Sequence, residues 1–342
     1  MRRAHIAVIF AISTALAGCG HQHSPLAQLR AEVRNNPDSV PARLALADAS
    51  LEAEDYHDAF IQYSAARELE QSSFDATLGV ATAQERLNDV GGAVESVNEA
   101  LALKPGDPEA LALQGRLMLR MNKPAEAIEV LTEALQTDPE NDEAHRFLPI
   151  AYLHTDQLAA AENAGRAAAA QMPDSVEAHL TLANVLIARE KTDEAETALR
   201  KAMELDPADA EPPLRLAELL VREERGIDEV MELTERSARL DSGEGDADAV
   251  AAIALRREGR DEEALRRLNA AAMAHPRNVR LWLMLAVIYR DLGEDEAAAR
   301  SAAMAFRFAP RRRVRAAGAD MPADGAAGQP SPDAQAAASA EN

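Results

Sequence analysis

The chain has 342 residues, 27% of them charged and only 3% aromatic, with a formal net charge of −22 and a single cysteine. Acidity on this scale repels nucleic acid, whose recognition needs a basic face, and a lone cysteine forms no intramolecular disulfide. Glycine, histidine and cysteine occur in none of the spacings that cradle phosphate, hold zinc or present a nucleophile, so neither a cofactor nor a catalytic residue is expected.

Residues 1–18 read as a secretion signal: Arg2 and Arg3 give a positive start, and Ile6–Ala17 a short apolar run. A spanning helix needs about 20 apolar residues, more than this run holds. It ends in Leu16-Ala17-Gly18-Cys19, which resembles the bacterial lipoprotein signal: a leucine, two small residues, then the cysteine that receives lipid. The resemblance implies a diacylglyceryl thioether on Cys19 and acylation of its new amino terminus. More than one acyl chain makes a stable membrane anchor. Gly20 stands where an aspartate in enteric bacteria holds lipoproteins in the inner membrane, so the resemblance implies the outer membrane, with the protein facing the periplasm. Residues 19–24 form a linker, whose His21 and His23 on a flexible tether make a poor metal site. Residues 25–39 place Leu26, Leu29 and Val33 at helical spacing before Pro37, which predicts a capping helix.

From residue 40 the chain repeats every 34 residues. Small residues recur at Ala47, Ala81, Gly115, Ala183, Ala217, Ala252 and Ala286. A second column runs Ala59, Ala93, Ala127, Ala161, Ala195, Val230, Ala264 and Ala298, and a third runs Ala66, Ala100, Ala134, Ala168, Ala202, Ser237, Ala271 and Ala305. Pro37, Pro105, Pro139, Pro173, Pro207, Pro276 and Pro310 close the units, with Gln71 and Ser242 as the gaps. A fixed period of this length means a stacked array. In residues 108–141, Leu111–Met121 and Ala125–Leu135 have helical spacing and are split by Asn122-Lys123-Pro124. Pro124 suits the start of a second helix, and Asp138-Pro139 ends it, so each unit is a helical hairpin. The small columns let neighbouring helices approach, with Gly115 facing the second helix of its own unit.

This pattern resembles the tetratricopeptide repeat family, whose small residues and closing proline fall on these columns. The resemblance implies an all-α fold: an α-solenoid of about eight helix-turn-helix units over residues 40–312. The units are 40–73, 74–107, 108–141, 142–175, 176–209, 210–244, 245–278 and 279–312. Unit six carries an extra residue near Glu223–Ile227 and lacks the proline, so its turn is expected to be longer and looser. Unit four carries Pro149 inside its first helix, which is expected to kink or break it. The family's early tryptophan occurs once, as Trp282. His145 and His179 sit at equivalent positions of successive units, where packing is the default role. Residues 313–342 are rich in Ala, Pro and Gly and read as a disordered tail. The basic cluster Arg311–Arg315, where the tail opens, either complements the end of the last helix or meets an anionic lipid or acidic partner.

The resemblance also implies that positions two, five, nine, twelve and thirteen of each unit face a common groove. Position two is acidic at Asp75, Glu109, Glu143, Glu177, Glu211 and Asp246; position thirteen holds Arg86, Arg120, His154, Ala188, Arg222 and Arg257, with Arg256 and Arg290 one place earlier. These rails either form a track for a partner or follow the helix dipole, which favours acid at a helix start and base at its end. Lys and Asn of the family's carboxylate clamp are replaced by Leu78, Ala112, Arg146 and Leu180, with Asn184 alone matching. The candidate partner-binding residues are therefore Arg86, Arg120, His154, Asn184, Arg222, Arg257 and Arg290. The expected function is a lipid-anchored periplasmic scaffold for protein–protein interaction, taking extended peptide or helical segments of protein partners. Lipoproteins of this build resemble assembly factors of pili or secretion machines. The alternative is an adaptor in exopolysaccharide synthesis or export.

Overall fold

The computed structural model describes residues 25–240 and 245–309. The signal, Cys19, the linker, Ser242, Pro310, Arg311–Arg315 and the tail lie outside the described residues. Among those described there are seventeen helices: α1 (Pro25–Asn35), α2 (Val40–Glu52), α3 (Tyr56–Leu69), α4 (Phe74–Arg86), α5 (Val90–Leu103), α6 (Pro108–Arg120), α7 (Pro124–Thr137), α8 (Asp142–His154), α9 (Leu158–Gln171), α10 (Val176–Ala188), α11 (Thr192–Leu205), α12 (Glu211–Arg222), α13 (Ile227–Leu240), α14 (Asp246–Arg257), α15 (Asp261–Ala274), α16 (Val279–Asp291) and α17 (Asp295–Phe308). Helix α1 falls within residues 25–39, and each later even–odd pair falls within one 34- or 35-residue repeat of the sequence. None of these helices is long and apolar enough to cross a membrane.

Local chemistry starts and stops each helix. First helices begin at Ser39, Ser73, Asp107, Asn141, Ser175 and Asn278, whose side chains accept a backbone N–H from the first turn. All but Ser73, which follows Gln71, lie two residues beyond a closing proline, so there the proline ends one unit and positions the cap of the next. Every hairpin turn closes with a six-residue return bond, for example Lys123 N to Met118 O and Lys191 N to Leu186 O, both 2.9 Å. The residue before each such donor takes a positive φ: Glu54, Asn88, Asn122, Asp156, Glu190, Glu224, Gly259 and Gly293. This is the Schellman end, repeated in all eight units.

Two expectations are corrected here. The turn of unit six is longer but not looser. Glu224 keeps the left-handed conformation, Arg225 N still reaches Leu220 O at 3.0 Å, and the inserted Gly226 simply adds a second positive φ of 59° before α13. Nor does Pro149 break its helix. Helix α8 runs continuously through it, with the ring buried beside Leu148 and Ala151. Proline's fixed φ is already helical, so only one bond is lost, and burial of the ring offsets it.

Two compact units divide the described chain, one ending at Leu268 and one beginning at Asn269. In the first, each second helix packs on its own first helix and on the next first helix. First helices also touch directly across repeats in the pairs α2–α4, α4–α6, α6–α8, α8–α10 and α12–α14. They thus form the inner layer and the second helices the outer one. The small columns are why this works: Ala47, Ala81, Ala183, Ala217, Ala59, Ala93, Ala127, Ala66 and Ala134 are fully buried. A Cβ on Gly115 would collide with Leu131 and Val130 of α7, as the sequence spacing anticipates. The largest apolar cluster runs from Leu180 to Ala254 across α10–α14. In the second unit α16 packs on α17, burying Leu281, Trp282, Leu285 and Ile288. Leu283, Val287 and Phe306 stay exposed there.

Candidate functional site

Charged inner-layer residues of units two to five bond chiefly to one another. Glu85 of α4, only 7% exposed, is held by Arg116 of α6 at 2.5 Å. Arg116 also reaches Glu143 of α8 at 3.0 Å and lies over the Phe147 ring, its centre 5.6 Å away. Arg146, one turn further along α8, pairs with Glu177 of α10 at 3.3 Å. The result is a ladder running across four consecutive first helices. Three of its members, Glu143, Arg146 and Glu177, occupy positions two and five of the predicted groove.

The basic rail splits into two groups. Arg120 donates to the Glu85 carbonyl at 3.1 Å and to Asn88 Oδ1 at 2.5 Å. Arg257 repeats the arrangement on the Val221 carbonyl and on Glu224, the latter at 3.8 Å. Asn88 and Glu224 are equivalent left-handed turn residues, so both arginines cap the first helix of the preceding unit. Here the helix-end electrostatics act between repeats rather than within one. The second group faces outward. Arg86, His154 and Asn184 are exposed and make no side-chain bond to another described residue. Arg222 pairs only with its neighbour Glu223, at 3.3 Å. In the second unit Arg290 is exposed and pairs with Asp291 at 3.6 Å. Cys19 lies outside the described residues.

A function of position four becomes visible only in three dimensions. Arg43, His145, His179 and Trp282 each donate to the carbonyl of the closing proline six residues earlier: Pro37 at 2.7 Å, Pro139 at 2.8 Å, Pro173 at 3.0 Å and Pro276 at 2.9 Å. Facing a carbonyl oxygen, the two histidines donate through Nε2. Arg43, His145 and His179 thus supply in units one, four and five the bond that Trp282 makes in unit eight, whereas Thr77, Leu111, Pro213 and Asp248 hold this position without it. Among the described residues no group of three or more His, Cys, Asp or Glu side chains is placed to hold a metal ion.

Carboxylates on the outer layer are likewise engaged. Glu162 of α9 is pulled down to about 2 by hydrogen bonds from Lys191 and Arg166, against the opposing effect of burial. Arg166 continues to Glu194, whose carboxyl it lowers. One repeat on, Glu196, Arg200, Arg225 and Glu229 form the same network.

Two sequence-family models, both described as tetratricopeptide repeat, match the chain: one at residues 118–164 and 156–211, the other at 44–108 and 250–311. Among curated proteins none matches. Solved structures with the same fold include the APC/C hetero-tetramer Cut9–Hcn1, at 15% identity and TM-score 0.60 over 68% of this chain. The chain spans 46% of that longer protein. Pseudomonas aeruginosa pilF aligns at 21% identity and TM-score 0.55, over 62% of this chain and 96% of its own. A tetratricopeptide repeat protein from Parabacteroides merdae aligns at 16% and 0.54, over 78% and 98%. At these identities the likeness concerns the fold. The matched segments, the eight hairpins and the buried small columns agree: the chain belongs to the tetratricopeptide repeat family, an α-solenoid that serves protein–protein interaction.

Proposed function

We propose that this protein is a lipid-anchored periplasmic scaffold that holds segments of protein partners on the inner layer of its repeats, as an assembly or accessory factor of an envelope machine such as a pilus or secretion system. The observation that carries the binding role is the division of the basic rail. Arg120 and Arg257 are consumed in joining repeats, whereas Arg86, His154, Asn184 and Arg222 face outward with almost nothing to do in the fold. Exposed polar groups on a rigid array, free of structural duty, are what a binding surface supplies. Support for the anchor is the order of Arg2-Arg3, the apolar run and Leu16-Ala17-Gly18-Cys19. Binding rather than catalysis is the mechanism, because the described carboxylates and histidines are taken up in ion pairs and caps or lie solvated.

The test is capture from crosslinked envelopes with the full chain, read by mass spectrometry, beside Cys19→Ser and the pair Arg86→Glu with Arg222→Glu. The expected result is a pilus, secretin or other machine component that is lost with Cys19→Ser and weakened by the arginine pair. Recovery of abundant envelope proteins alone rejects the scaffold. Arg120 and Arg257 are unsuitable for this test, since reversing either removes a bond between repeats.

A further inference from the structure

We infer that two copies of this chain associate tail to tail through α17, antiparallel about a two-fold axis, with each Phe306 seated against Ala299 and Ala302 of the other copy. Phe306 is 86% exposed, the highest value for a large apolar side chain among the described residues. Its place in the repeat shows what such a side chain is for. It is position twenty-eight of unit eight, where Leu101, Leu135 and Met203 stand in units two, three and five. Those three are half-buried on apolar clusters that include the first helix of the following unit, through Leu113 and Leu117, Leu148, and Leu216. No helix follows α17 among the described residues, and residues 313–342 hold only Val314 and Met321 as long apolar side chains, too few for another hairpin. The surface that stacks one repeat on the next is therefore left open on α17.

The open stripe suits a copy of itself. Ala299, Ala302 and Phe306 follow one another at helical spacing and are all exposed, while Ser301 and Ala305 on another face of α17 are buried. The alanines leave room for an aromatic ring. An antiparallel crossing centred near Ala302 puts each Phe306 opposite Ala299 of the second copy. It also sets the acidic first turn, Asp295 and Glu296, beside the second copy's last turn with its Arg307, and it opposes the two helix dipoles.

Charge says where two copies can meet. A chain with 58 acidic and 36 basic residues repels its own copy over most of its surface. Residues 269–309 are the exception, with five arginines against four carboxylates, so contact there brings the least like charge together. One helix laid on its copy buries less than the ~800 Å² per partner of a standard interface, so the association is weak, in the micromolar range.

The test is sedimentation equilibrium of the full chain at rising concentration, beside Phe306→Glu and Ile61→Glu, the latter a change at another exposed apolar residue, in unit one. The expected result is a monomer–dimer equilibrium that Ile61→Glu leaves intact. Phe306→Glu should weaken it by roughly a hundredfold, because both rings leave the contact at once. A second measurement places Ala302→Cys in a Cys19→Ser chain, so that the engineered thiol is the only one; on oxidation it should give a disulfide-linked dimer. Circular dichroism checks that each variant keeps its helices, and if Phe306→Glu does not, the Ala302→Cys crosslink decides alone. A monomer at every concentration, a dimer that Phe306→Glu leaves unchanged, a dimer lost in Ile61→Glu, or no crosslink through Ala302→Cys overturns the inference. The scaffold reading concerns the inner layer and stands or falls separately, by envelope capture.

Discussion

Two residue-level features show how the repeat is held and what it costs. Glu54, Glu190 and Glu224 sit at positive φ in their hairpin turns, where Gly259 and Gly293 do the same work in later units. A left-handed conformation costs an L-residue about 1–2 kcal/mol, part of which glycine returns through its freer unfolded state. Glu190→Gly should therefore raise stability by about 0.5–1 kcal/mol in urea unfolding, and Glu190→Ile should lower it. The second feature is Gly79 of α4. A Cβ there would fall on the Tyr63 ring, whose hydroxyl donates to Asp48. Gly79→Ala should destabilise by about 1–3 kcal/mol through overpacking, and the loss should shrink in a Tyr63→Leu background. Neither feature was legible in the sequence. Glutamate gives no hint of positive φ, and Gly79 lies two residues away from the small column at Ala81.

Helices are joined in this array by apolar packing and by charge networks spanning repeats. Glu162 links α9 to Arg189 and Lys191 in the α10–α11 turn, at 3.3 and 2.6 Å. Its folded value of about 2 lies below its ordinary 4.5. The stability it contributes is therefore complete above pH about 4.5 and is lost as pH falls towards 2. A lowering of that size corresponds to roughly 3 kcal/mol at neutral pH before solvent screening at the part-exposed Arg166 and Lys191 reduces it. Glu162→Gln should remove most of this and flatten the fall in stability across that acid window, followed by helicity at 222 nm. Glu194 and Glu263 are shifted in the same direction by Arg166 and Arg260, but both are exposed and salt should screen their effect. The charges themselves recur visibly at the repeat interval, as Glu162 and Glu196 or Arg166 and Arg200. Spacing alone did not distinguish these pairs, which bridge repeats, from charges solvated on a helix face.

Within the first compact unit, the described helices touch only their own and neighbouring repeats, so stability there is a sum of local terms. The apolar cluster between Leu180 and Ala254 is the most extensive. Amides of α10–α12 are expected to exchange slowest with deuterium, and those of α1 fastest, because α1 has a neighbour on one side only. Uniform protection along the array would mean that the repeats unfold as a single cooperative body instead.

The periodicity of small residues and prolines was enough to determine the family, the eight hairpins and which faces are buried, because a 34-residue repeat can bury its apolar stripe only by stacking on copies of itself. The same register aligned the acidic and basic rails. It could not say which arginines are spent on the preceding repeat and which face outward. That depends on whether a carbonyl and a turn residue such as Asn88 come within reach of position thirteen, as they do for Arg120 but not for Arg86. Only the packed inner layer decides it, since every partner involved is about a full repeat away in sequence and a hydrogen bond's reach in space.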